Sequence, residues 1–173
     1  MKLITPKTQM DAAVSDADLK TLKLSTPLIT REALDRYIQF QRAYVEHLER
    51  TPDKQASTLA RAHEEAAAKS GAHIDEIGRV GAICTDYAGR RTVEQTLENK
   101  REKTQQSLDR ARASGAPASE RDLEVQQKIA EQFASGSAWD HLTRRYGLEL
   151  VEVLKSREGE LLELHKRQTA AHL

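Results

Sequence analysis

The sequence predicts an all-α fold, a helical bundle of four to six helices with a long polar helical hairpin. Three observations point there. Apolar residues recur at steps of three and four through most of the chain, the period of an amphipathic helix. Residues that start and stop helices, among them Thr30, Pro52, Gly71, Pro117 and Gly147, fall between these stretches. The apolar complement is also small in volume: 23 Ala stand against 35 Leu, Ile, Val and Phe together. So few large side chains make a thin core, which helices fill without voids only by lying close together.

Residues 1–28 read as a flexible N-terminal tail bracketed by Pro6 and Pro27, with room for a short helix capped by Ser15 and carrying Leu19 and Leu22. Residues 29–170 read as a single helical domain. Its first helix starts at the N-cap Thr30. Leu34, Tyr37, Ile38, Gln41, Val45 and Leu48 form the stripe, widened by Phe40 and Tyr44. It ends near Arg50, because Thr51 precedes a proline. The second helix runs from about Pro52 to Ser70, with Ala56, Leu59, Ala60, His63, Ala66 and Ala67 inward. Gly71 stops it.

The third helix, from Ile74 toward Ser114, is unusually long. Its first half carries Gly78, Gly81, Ala82, Thr85, Ala88 and Gly89 on one side, and Ile77, Val80, Ile83 and Tyr87 on the other. Each interior helical glycine costs about 1 kcal/mol relative to alanine. Close packing of a second backbone is the expected compensation, with the Ala-rich second helix as the natural neighbour. The second half is polar, with 7 basic and 4 acidic residues over 90–113. Its narrow seam of Val93, Leu97, Thr104, Leu108 and Ala111 suits an antiparallel partner with Leu123, Ile129 and Phe133. Leu108 would meet Leu123, and Leu97 would meet Phe133. Gly115 and Pro117 make the turn, and Ser119 with Asp122 resembles a capping box. Residues 90–135 thus read as an extended hairpin arm. Ser137 and Asp140 make a second capping pair, before a short helix with Trp139, Leu142 and Tyr146 that stops at Gly147. The last helix carries Leu150, Val151, Leu154, Leu161, Leu162 and His165, with Gly159 toward solvent.

Function is read chiefly by exclusion. With 27 basic and 27 acidic residues the chain lacks the basic excess of a nucleic-acid binder. The basic residues at 90, 91, 100, 101, 103, 110 and 112 read as a solvated helical face, with no aromatic among them on which a base could stack. No apolar run approaches a membrane span of about 20 residues, and Met1–Asp11 holds no leader-like apolar segment, so the expected location is cytoplasmic. A Gly-rich phosphate loop and a nucleophile elbow are both missing from the sequence.

Cys84, the lone cysteine, lies mid-helix without a basic neighbour and reads as a small buried hydrophobe, not a nucleophile. His63, with Cys84 or Tyr87, could hold a metal or cofactor between facing helices. No second ligand stands out, so none is assigned. His73-x-x-Glu76 reverses the Glu-x-x-His order of di-iron bundles, and His73 beside Gly71 fits a first-turn cap better. Trp139 and Tyr146 share one side of a helix, either as a core plug or as an interface anchor. The resulting expectation is a non-catalytic protein-interaction or scaffolding module with a protein partner or a second copy of itself. Leu97, Leu108, Trp139 and Tyr146 are its candidate interface residues. The alternative is a cofactor- or metal-binding bundle.

Overall fold

The computed structural model describes residues 29–51, 55–134 and 136–171. The expected tail at 1–28 and the proline start of the second helix lie outside them. Among the described residues seven helices follow one another: α1 (Arg31–Arg50), α2 (Ala56–Ser70), α3 (Ile74–Ala113), α4 (Glu120–Ala134), α5 (Ala138–Tyr146), α6 (Leu148–Lys155) and α7 (Glu158–Ala171). The single C-terminal helix expected is instead broken by a turn at Ser156 and Arg157 into α6 and α7. The fold is all-α, and no strand occurs among the described residues.

Local chemistry sets most boundaries. Thr30 Oγ1 accepts from the amide of Ala33 at 3.2 Å, which satisfies one of the free N–H groups of the first turn of α1. Gly71, at φ 66°, closes α2 in the left-handed conformation that glycine adopts without strain. The imidazole of His73 caps α3 by accepting from the amide of Asp75 at 3.3 Å. Ser137 and Asp140 form a complete capping box on α5. In the similar pair before α4, the Asp122 carboxylate accepts from Ser107 Oγ across the hairpin at 2.8 Å.

The core lies where α1, α3 and the C-terminal helices meet. Leu34, Tyr37 and Ile38 of α1 join Ile77, Val80, Ile83, Cys84 and Tyr87 of α3, with Leu142, Leu154 and Leu161 from the later helices. The α1 stripe is the one its periodicity predicts. Ion pairs flank it: Arg157 with Asp35 at 2.6 Å, Arg42 with Glu160 at 2.8 Å, and Arg167 with Glu49 at 2.8 Å. Both numbers rise together, so α1 and α7 run in the same direction. Such half-exposed pairs fix orientation more than they stabilise, each contributing under about 1 kcal/mol.

Three expectations need correction. First, α2 packs mainly on α1, not on the small residues of α3. It buries Ala62, Ala66 and Ser70, while Ala56 and Ala60 are exposed and Leu59, His63 and Ala67 are half-buried. Second, the small-residue face of α3 splits lengthwise. Ala88 is buried, and a Cβ on Gly81 would stand 3.0 Å from Cε2 of Tyr37. Gly78, Ala82 and Thr85 are exposed, and a Cβ on Gly78 or Gly89 would meet nothing within 4 Å. The six residues cover too wide an arc of the helix for one neighbour, so α1 takes one edge and the other stays open. Third, α4 turns Leu123 outward, 49% exposed, although the hairpin register is close to that expected, with Gln126 bonded to Gln105. Asp122, Ile129 and Phe133 share the face toward α3, and Leu123 lies about 120° round from Ile129.

Candidate interaction site

The long helix α3 changes neighbours along its length. Its N-terminal half is the central rod of the core, and its C-terminal half is covered chiefly by α4. Around the change-over, Thr85, Gly89, Val93 and Leu97 of α3 face Phe133 at the end of α4 and Gly136, Ala138 and His141 at the start of α5. Together they enclose an open cleft of about 570 Å³. Helical spacing puts Thr85, Gly89, Val93 and Leu97 on one side of α3, four residues apart. Glycine at 89 keeps the floor low, while Val93, 60% exposed, stands in the opening. Small side chains and a few apolar ones over open space form a surface suited to an apolar segment.

A buried ionic network fixes the walls. Arg91 is 9% exposed and Glu94 is 7% exposed. The Arg91 guanidinium bonds Glu94 and donates to Glu158 Oε1 at 3.1 Å. Glu94 in turn accepts from the amide of Ala138 at 3.0 Å, which ties the N-terminus of α5 to α3. Tyr87 donates to Glu158 at 2.6 Å. Trp139 lies across the group, 4.3 Å from the Arg91 guanidinium carbon and 5.0 Å from Lys155 Nζ. Burial alone would raise the Glu158 carboxyl, but the bonds from Arg91 and Tyr87 outweigh it and hold it below the usual carboxylate range. Burial first, and Glu158 second, push the Tyr87 phenol far up. On the other side of the cleft Asp86 accepts from Tyr146 at 2.8 Å and from Arg90 at 3.0 Å. Burial, then Asp86, push the Tyr146 phenol up to about 12.

The residues proposed as anchors therefore divide. Leu97 borders the cleft, but Leu108 is only 3% exposed, sealed inside its own hairpin. Trp139 and Tyr146 are half-buried and brace the walls through Arg91 and Asp86. Helical spacing does not reveal Arg91, Glu94 and Glu158. Arg91 reads as one more solvated cation until Glu158, 67 positions away, is seen against it. A weak signal exists in the run Tyr87, Arg91 and Glu94, which puts a phenol, a cation and a carboxylate on successive turns where the helix passes from its apolar half to its polar half.

The potential ligands for a metal or cofactor do not converge. His63 packs edge-on against Phe40, 4.8 Å between ring centres, and Cys84 lies in the core. Tyr87 is committed to Glu158. Burial pushes the Cys84 thiol up to about 12, away from the thiolate that nucleophilic or ligand chemistry requires. Among the described residues no three His, Cys, Asp or Glu side chains form a ligand set, and no helix is long and apolar enough to cross a membrane. No protein-family model, no curated protein and no solved structure matches this chain.

Proposed function

We propose that this chain is a non-catalytic interaction module that takes a segment of a protein partner, or of a second copy of itself, into the cleft at the base of its helical arm. The observation that carries this reading is the open edge of α3. Gly78, Ala82, Thr85 and Val93 lie exposed in line, and from Thr85 onward this edge borders a cleft whose walls are braced by a buried ionic network. Glycine at an exposed, interior helical position costs stability and gains nothing from the contacts within this chain. A docked backbone is what makes small residues useful there, because it can approach where a larger side chain would hold it off. The reactive groups favour the same reading, since Cys84 is buried and the phenols of Tyr87 and Tyr146 are bonded to carboxylates.

Val93→Asp tests the role directly. Its side chain is more than half exposed, so the charge leaves the fold intact while it occupies the cleft. In the wild-type chain a protein partner co-purifies from its own cells, or light scattering at micromolar concentration gives a dimer. In Val93→Asp both are lost. Leu148→Asp, on an exposed residue outside the cleft, is the control and changes neither. An unchanged partner and unchanged mass in Val93→Asp would sink the proposal.

A further inference from the structure

We infer that the segment taken up is a helix with an apolar end and an acidic end, an inference that rests on the docking role proposed above. The open edge of α3 does not stop at the cleft. Beyond Val93 the same side of the helix continues through Thr96 to Lys100, Lys103 and Arg110, all exposed. None of these three cations makes an ion pair with another described residue; among the other cations of α3, Arg90, Arg91 and Arg112 do, while Arg79 donates to the Asp75 carbonyl and Arg101 lies over Phe133. The two carboxylates that border the cleft are already engaged, Asp86 by Arg90 and Tyr146, and Glu94 by Arg91 and the Ala138 amide. The face thus offers small and apolar contacts in its first half and uncompensated positive charge in its second.

The chain contains a template for what fits. Helix α4 lies antiparallel on the neighbouring side of α3, with Asp122 at Ser107 and Phe133 under Arg101. Its first turns carry Glu120, Asp122 and Glu124 beside a single cation, Arg121, and its later turns carry Ile129 and Phe133 beside the opposite charges Lys128 and Glu131. The same polarity suits the open side: acidic turns over Lys100, Lys103 and Arg110, and apolar turns over Gly89 and Val93. Covering Gly89 to Arg110 takes a helix of about 20 residues, roughly 30 Å long. Complementary charge sets its direction and excludes basic competitors more than it adds affinity.

Two labelled peptides of that length test the inference by fluorescence anisotropy with the full chain. They share one set of apolar residues in the C-terminal half and carry glutamates or lysines in the N-terminal half. The glutamate peptide is expected to bind about tenfold tighter at low salt, three exposed pairs being worth roughly that factor. The gap narrows as salt rises. Lys100→Glu, Lys103→Glu and Arg110→Glu together reverse the preference. Gly89→Trp weakens both peptides, because its side chain enters open space and fills the groove. Equal affinity for the two peptides overturns the acidic partner and leaves the docking role standing. No binding by either removes both. Binding of the chain to phosphatidylserine vesicles in place of the glutamate peptide also overturns the inference, since the cations then serve a lipid surface.

Discussion

Arg91 sits where a solvated basic flank would not place it, with two carboxylates and an indole around its guanidinium. Removing one member of such a group strands the charges left behind. Arg91→Met is therefore expected to cost about 3 kcal/mol in urea unfolding, the usual loss when a buried charge is left unpaired. The pH dependence follows from Glu158, whose carboxyl is held below its ordinary value of 4.5. A lowered carboxyl adds stability that is complete above that ordinary value and is lost as pH falls through the lowered one. The urea midpoint of the wild type should thus fall between pH 5 and pH 3 more steeply than that of Glu158→Gln. Equal slopes would show that the network does not hold this proton off. Two glycines give a second test at this scale. Gly78→Ala, with open space around its new methyl group, should stabilise by up to about 1 kcal/mol through helix propensity. Gly81→Ala meets the Tyr37 ring at 3.0 Å and should forfeit that gain or reverse it. Thermal unfolding of the pair decides, and equal shifts would contradict the split face.

Among the elements, the arm depends on the least. Its interior is Leu108, Ile129 and Thr104, with Arg101 over Phe133 at 5.9 Å. Leu108→Ala deletes one of its two fully buried aliphatic side chains, a change that typically costs 2–5 kcal/mol. Amide exchange should quicken across α4 and the facing turns of α3 while α1 and α7 keep their protection. A uniform loss across the chain would mean that the arm and bundle unfold as one. Elements were the most legible level of this sequence. The bounds of α1 and α3, the capping box of α5 and the register of the hairpin all follow from period and caps, which are local. Rotation was less legible. Leu123 outward and Asp122 inward, or Ala62 in place of Ala60, depend on which neighbour a helix meets, and a periodic stripe leaves that choice open within a residue or two.

Across the whole molecule, one 40-residue helix belongs to two surroundings, a core on its first half and a single covering helix on its second. The sequence shows that change as a shift from glycine, alanine and isoleucine to arginine, glutamate and glutamine. What it could not show is the cleft at the junction, because the cleft is made by residues from three helices and by a turn at Gly136. The same holds for the neighbour of the small-residue face. Composition implies that something lies close to those glycines, but only the fold shows that α1 covers one edge and leaves the other bare.

Cys84 is 2% exposed in the middle of that shared helix, and it is the chain's only cysteine. Its sulfur meets a soluble maleimide only when the rod it sits on comes away from α1 and the C-terminal helices. The rate of that single alkylation is thus a built-in clock for opening of the core. It should be indifferent to fraying of the arm, and a partner seated on the outer edge should slow it only by as much as it steadies the bundle as a whole.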